Sequence, residues 1–304
     1  MAATERTRHR MVQTRRPAGL AAVTIFRSDG RRLATTGPNG DLKLWDTTNP
    51  RHPALLMRLT DRHRITAAAW NPTAADLLAT LSTDGNITIW RMVDDRPPDE
   101  VLNLRLPFGR SGLLAWLPAG RHIACVSLDG SLSVWDIGSG ARQTEIFSDS
   151  AACLSLSSGM DDVLRAAYED GSVRRTVPFK ESGRLRTRRI PPITAAAWSA
   201  SGHRLAVCPG TGILEVRDDA LHVQWSTTMT TTATPTLAWH GDSEIIVAHR
   251  ATRQLIALDT DGRTLWEAQL VMEPTSLSAA NGVVAVGACN FRPQMIDIER
   301  GTPL

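Results

Sequence analysis

Histidine, cysteine and carboxylate side chains do most acid–base and metal chemistry, and in this chain of 304 residues they follow no motif. The eight histidines, His9, His52, His63, His122, His203, His222, His240 and His249, share no metal-ligand spacing. Cys125, Cys153, Cys208 and Cys289 lie 28, 55 and 81 residues apart, so none pairs into a zinc knuckle or redox motif, and buried reduced thiols are expected. The phosphate loop Gly-x-x-x-x-Gly-Lys-Ser/Thr, the elbow Gly-x-Ser-x-Gly and the metal helix His-Glu-x-x-His are all absent. One acid–base site can be assembled from His63 and His249 with Asp149 or Glu169. No spacing supports it, so the expectation is a non-catalytic protein with no catalytic residue, metal or cofactor.

Arginine is the other chemistry-bearing residue. Of 34 basic residues 32 are Arg, with Lys43 and Lys180 the only lysines. Residues 1–16 hold five Arg and one Glu (+4), and residues 174–189 hold six Arg, Lys180 and one Glu (+6). The chain carries +3 in total, which leaves −7 for all other residues. Arg174, Arg175, Lys180, Arg184, Arg186, Arg188 and Arg189 therefore form a basic patch along one segment. Such a patch suits either protection of a sheet edge or contact with an acidic surface or nucleic acid. No aromatic alternates with these arginines, which argues against stacking on bases and makes nucleic acid the lesser choice.

The elements that position these residues come from a repeat. Gly-x-apolar-x-apolar-Trp-Asp/Arg occurs at 40–46, 85–91 and 130–136, so Trp45, Trp90 and Trp135 are 45 residues apart. The register continues weakly through Thr176, Arg217, Leu258 and Ile296, at spacings of 41, 41, 41 and 38. A second repeated stretch precedes it, as in Ile65-Thr-Ala-Ala-Ala-Trp70, Leu113-Leu-Ala-Trp116, Ile193-Thr-Ala-Ala-Ala-Trp198 and Leu237-Ala-Trp239. Short alternating runs read as strands, and each unit of about 40 residues holds four of them. Hydrophobic residues make up 42% and charged residues 21%, the balance of a chain with ample core, which excludes disorder. No apolar run reaches the roughly 18 residues of a membrane helix, and the charged N-terminus is unlike a signal peptide, so a cytoplasmic protein off the membrane is expected.

On these motifs the chain resembles the WD-repeat β-propellers, in a divergent, Arg-rich form similar to bacterial members. The resemblance implies an all-β, seven-bladed β-propeller with four antiparallel strands per blade. Blades are expected near 20–60, 65–107, 111–148, 151–190, 193–229, 234–271 and 274–298, in one domain over 1–304. The seventh unit lacks an outer strand, so residues 8–17 are expected to supply it and close the ring. Many family members have a Gly-His pair before each blade whose His joins a buried chain to the turn acid. That pair is absent here, and His63 is expected at the rim instead.

The turn before each third strand carries Asn39, Asp84, Asp129, Asp170, Thr211, Thr252 or Asn290, followed by glycine in the first five blades. The glycines point to a positive φ. Arg253 and Phe291 stand there in blades 6 and 7, which implies either turns of another length or type or side chains presented to a partner. In propellers these turns share a face with the loops between blades. The expected function is a scaffold that binds a protein or peptide through this rim, using Arg62, His63, Arg64, Phe108, Arg110, His249, Arg250, Arg253, Phe291 and Arg292. A signalling or ATPase module on a separate chain is one such partner. The alternatives are an enzyme with a small-molecule site in the channel and a polyanion binder through the basic segment.

Overall fold

The computed structural model describes residues 13–14, 23–37, 39–60, 63–93, 96–106, 112–127, 130–146, 151–159, 161–178, 185–210, 212–229, 233–288 and 292–304. Seven antiparallel sheets follow one another along the chain, each a meander whose strands pair in sequence order. The inner strands are Thr24–Phe26, Ile65–Trp70, Leu113–Trp116, Cys153–Ser158, Ala195–Trp198, Thr236–His240 and Ser276–Ala280. Each packs beside the inner strands of its two neighbours, and the last packs beside the first, which makes a ring. The seven-bladed all-β architecture is the one expected from the repeat.

Alanine dominates the inner strands because the blades converge toward the axis, where large side chains on both faces would not fit. Ala67, Ala68, Ala69, Ala115, Ala196 and Ala197 are all buried. Seven buried clusters lie between successive blades; for example, Val23, Ile25 and Leu44 of blade 1 meet Ile65, Ala68 and Trp70 of blade 2. The core is thus seven seams, and each blade's stability depends on its two neighbours.

The tryptophans form two hydrogen-bonded series in these seams. On the third strands, Trp45 Nε1 donates to Thr35 Oγ1 and Trp90 Nε1 to Thr80 Oγ1, both at 2.9 Å. Cys125 holds the corresponding position in blade 3, and Trp135 Nε1 is buried there with no acceptor. On the inner strands, Trp70, Trp116 and Trp239 donate across the seam to the carbonyls of Ile25, Ala69 and Ala197, at 3.3, 2.9 and 3.0 Å. The strand pairing shifts register at the Trp or its equivalent in blades 1, 2, 3, 5 and 6, where the third strand meets the outer one. A bulge there re-aims the third strand and twists the outer edge.

The aspartate after the Trp position closes the next turn. Asp46, Asp136, Asp259 and Asp297 each accept from the backbone N–H two residues on, at 2.8 to 2.9 Å. The second half of the Trp-Asp pair is therefore a turn cap.

Ring closure differs from the expectation. Of residues 8–17 only Gln13–Thr14 are described, and they pair with Leu156 and Ser155 on the inner edge of blade 4. That sheet has five strands and the seventh has three, with Pro303 bridging to Ile296 on its outer side. Side chains join blade 7 to blade 1 instead. Thr24 and Ser276 hydroxyls meet at 2.6 Å, Phe26 N donates to Ser278 Oγ at 3.0 Å, Asn281 donates to Asp29 O, and Arg292 Nη2 donates to Pro53 O at 2.6 Å. Phe26, Leu33, Trp45, Ala280, Ala285 and Met295 pack beneath them.

Candidate functional site

The rim is built by one recurring contact. In four blades the residue after the turn Asp or Thr lends its carbonyl to the N–H that opens the segment leaving the blade: Gly85 to Leu106, Gly171 to Ile190, Gly212 to Met229 and Arg253 to Leu270. The turns and the blade-joining loops therefore lie on one face, as the sequence implied. Gly40, Gly85, Gly130, Gly171 and Gly212 all have positive φ, between 76° and 85°. A Cβ on Gly171 would lie 2.1 Å from Ile190 O, so space as well as backbone angle requires glycine.

Arg253 adopts the same left-handed conformation, with φ of 55°, and its carbonyl is used in the same way, at 2.7 Å. The blade 6 turn is nevertheless one residue longer than those of blades 1 to 5, since Leu258 pairs with Ile245 thirteen residues back where Trp45, Trp90 and Trp135 pair twelve residues back, so the expected difference of turn is present as well. A non-glycine residue here is held by its surroundings at a backbone cost of roughly 1 kcal/mol. The Arg253 side chain is exposed and reaches Val271 O at 3.4 Å. Val271 is 74% exposed, and its N–H donates to Gln294 Oε1. Beside them Arg250 Nε donates to Glu273 Oε2 at 2.9 Å, both groups well exposed. Cationic, apolar and acidic groups thus share one solvent-facing cluster on blade 6.

A second rim cluster lies on blade 2. His63 and Arg64 are exposed, and His63 Nε2 is 3.6 Å from Asp84 Oδ2. Asp84 also accepts from Ser82 Oγ and Asn86 Nδ2, each at 2.5 Å. Burial pushes its carboxyl up, but these bonds and the charge of His63 prevail and hold it below the usual range. The His and turn Asp that the family joins in the interior meet here at the surface.

Other expected contact residues separate. His249 is only 1% exposed, at the end of a second strand, and burial lowers its pKa, so it is an interior neutral imidazole and not a contact residue. Arg292 is engaged with Pro53 O in the seam between blades 7 and 1. Arg62, Phe108, Arg110 and Phe291 lie outside the described residues. The acid–base set does not assemble: His63 faces Asp84, His249 is buried, and Asp149 lies outside the described residues. Among the described residues no three His, Cys, Asp or Glu side chains are grouped to hold a metal. Cys125, Cys153 and Cys208 are buried and form no disulfide, and burial pushes the Cys208 thiol up to about 12.

The basic segment divides by face. Arg174 lies over the Tyr168 ring at 4.9 Å, and Arg175 pairs with Asp219 at 2.8 Å, so both are engaged within the blade and leave the open patch. Lys180 and Arg184 lie outside the described residues. Arg186, Arg188 and Arg189 remain fully exposed on the outer strand Arg186–Arg189. Sequence reading missed Arg165, which is 1% exposed and forks onto Asp161 at 2.6 and 3.0 Å. The signal was the repeat itself, since Ala34, Ala79, Ala124 and Ala206 stand at this register in blades 1, 2, 3 and 5.

Residues 114–136, the second and third strands of blade 3 with the end of its first, match the family described as WD domain, G-beta repeat. The protein is a seven-bladed β-propeller, one stretch of which is similar to this repeat. The rat telomerase protein component 1 (Rattus norvegicus) is 26% identical over 263 residues, 80% of this chain and 9% of that protein. Protein tipD of Dictyostelium discoideum is 30% identical over 122 residues, 39% of this chain and 19% of that protein. The chain thus spans a small part of the curated relatives it matches. Both organisms are eukaryotic, and nothing in these similarities favours a bacterial type. The crystal structure of Saccharomyces cerevisiae Sqt1 superposes with a TM-score of 0.67 at 14% identity, covering 87% of this chain and 80% of that one, which is a likeness of fold.

Proposed function

We propose that this propeller is a non-catalytic interaction scaffold that binds a protein or peptide through its rim, with the blade 6 cluster as the principal contact. The observation that carries this reading is Arg253, kept in a left-handed conformation that glycine fills in blades 1 to 5, beside the exposed Val271. Strain and an exposed apolar side chain both work against the isolated protein, and both are removed or used when a partner covers them. Arg250 and Glu273 supply a polar border. The WD-repeat relatives support a scaffold, and the separate signalling or ATPase chain remains a partner class consistent with it.

The test is quantitative affinity purification from the native source with three baits: wild type, Arg250→Glu/Arg253→Glu, and Arg186→Glu/Arg188→Glu. Loss of a partner with the first variant and its retention with the second is the expected result. Equal recovery by all three baits overturns the rim site.

A further inference from the structure

Blade 4 ends in the strand Arg186–Arg189, which pairs on one side with Ser172–Thr176 and, among the described residues, with nothing on the other. All four of its residues are exposed, whereas the outer strands of blades 1, 2 and 6 bury Leu59, Leu104 and Trp266. Its arginines therefore bury no apolar surface in a seam, and only Arg188 reaches the next blade, at Ala220 O. Its register with the third strand is unbroken over Ser172–Arg175 and stops before Thr176, the place at which the pairing bulges in blades 1, 2, 3, 5 and 6. A regular edge with a free row of N–H and C=O groups is a template for another strand.

Arg189 on this edge faces the charge of Asp170, but Arg186 and Arg188 form no ion pair among the described residues. Arg165 and Arg175, on the same face of the sheet, are matched to Asp161 and Asp219. Among the described residues Arg186 and Arg188 have no carboxylate within 4.0 Å; Arg188 Nη1 donates to Ala220 O at 2.7 Å. Burial is the main cause that keeps the Arg175 guanidinium below its ordinary pKa despite Asp219, with smaller shares from the charges of Arg165 and Arg188. Arg186 and Arg188 lie two residues apart and project from one face at about 6.6 Å spacing, the repeat of alternate residues on a paired strand.

We propose that this edge docks an extended acidic segment of a partner protein, which adds to blade 4 as a further strand with carboxylates opposite Arg186 and Arg188. Main-chain pairing supplies affinity and the alternating carboxylates supply selectivity. A second copy of this chain is disfavoured on the same edge, since like charges directly opposite each other repel. Nucleic acid fits less well because Trp198, the aromatic beside Arg175 on the face these arginines share, is fully buried and offers no base a stacking surface. The edge is separate from the rim cluster, so either proposal can fail without the other.

The test uses the full chain and a fluorescein-labelled octapeptide of alternating Glu and Val, read by anisotropy at low salt. Binding is expected, with a loss of about ten-fold or more when the peptide's alternate amides are N-methylated on the pairing edge. Arg186→Glu/Arg188→Glu is expected to abolish it, Arg186→Lys/Arg188→Lys to retain it in part, and Arg250→Glu/Arg253→Glu to leave it unchanged. Melting temperatures of all variants confirm that the blade is folded. Equal binding of the N-methylated peptide overturns strand addition. Tighter binding of a DNA duplex that is lost in the same Glu variant overturns the choice of polypeptide. No binding at low salt leaves the arginines as guards against self-association and overturns the proposal.

Discussion

In blade 2, Trp90 donates to Thr80, the second and third strands place Ala79 and Ile89 in the seam, and a bulge turns the outer strand. Blade 4 has Thr176 for the Trp, Arg165 and Arg175 for Ala79 and Ile89, Ser158 for the inner-strand Trp, and an outer-strand pairing that stops before Thr176. Trp198, the next blade's inner-strand indole, is fully buried, yet its Nε1 finds no carbonyl and its ring lies 5.9 Å from the Arg175 guanidinium. The same strand order is thus maintained by indole packing in one blade and by a paired arginine layer in the other. Apolar seams need only shape, whereas a buried guanidinium needs acceptors at fixed points, which Asp161 and Asp219 provide.

Removing the arginine layer is the strongest way to break this contrast. Arg165→Ala is expected to destabilise the fold by about 2–4 kcal/mol in urea unfolding, the ion-pair share being reduced because Asp161 and Asp219 are well exposed. Arg165→Met should lose less, since apolar volume serves the other seams. Equal losses would show that blade 4 depends on the charges themselves.

The indoles give the next largest difference. Trp116→Phe removes a hydrogen bond to Ala69 O and should cost about 1–3 kcal/mol, while Trp198→Phe removes an N–H that has no partner and should cost clearly less. Identical shifts in denaturation midpoint would refute the distinction. In blade 3, Cys125→Thr supplies the hydroxyl that Thr35 and Thr80 supply elsewhere, and a gain of about 0.5–1.5 kcal/mol is expected from chemical denaturation. Arg253→Gly should raise stability by about 1 kcal/mol by relieving the left-handed backbone while weakening capture of a rim partner.

The smallest effect is confined to acid. Asp136 accepts from Ser139 N and Gly138 N and pairs with Arg121, and these hold its carboxyl at about 2, below the ordinary 3.8. A depressed folded-state pKa gives stability that is complete above 3.8 and is lost as pH falls toward 2. Asp136→Asn should flatten the midpoint against pH within that window. Blade 4, with Val177 at the equivalent position, has no carboxylate to lose there.

How much could be read from sequence follows the same division. Blades 1 to 3 were legible because Gly40, Gly85 and Gly130 and the three third-strand tryptophans answer strict local demands of φ and volume. The place of Gln13–Thr14 was not, because two residues of extended chain carry no pattern that distinguishes an inner edge from an outer one. Arg165 was visible but unread, since a charge in a strand suggests solvent until its acceptors are known. The rim could be placed through the turn glycines, yet Val271 gains meaning only from its exposure beside Arg253, which no spacing encodes.

The seam between blades 7 and 1 has a kinetic consequence. Thr24 meets Ser276 across 252 residues of chain, and bringing ends that far apart together costs about 5 kcal/mol of chain entropy before any contact is gained. Among the described residues no shared strand registers the two blades as closure begins, so the Thr24, Phe26, Asp29 and Pro53 contacts must form nearly together. Closure is then the late, cooperative step of folding and, in reverse, the first joint to open. Native-state hydrogen exchange should find its lowest protection among the strands at Thr24–Phe26 and Ser276–Ala280, on the two sides of this seam.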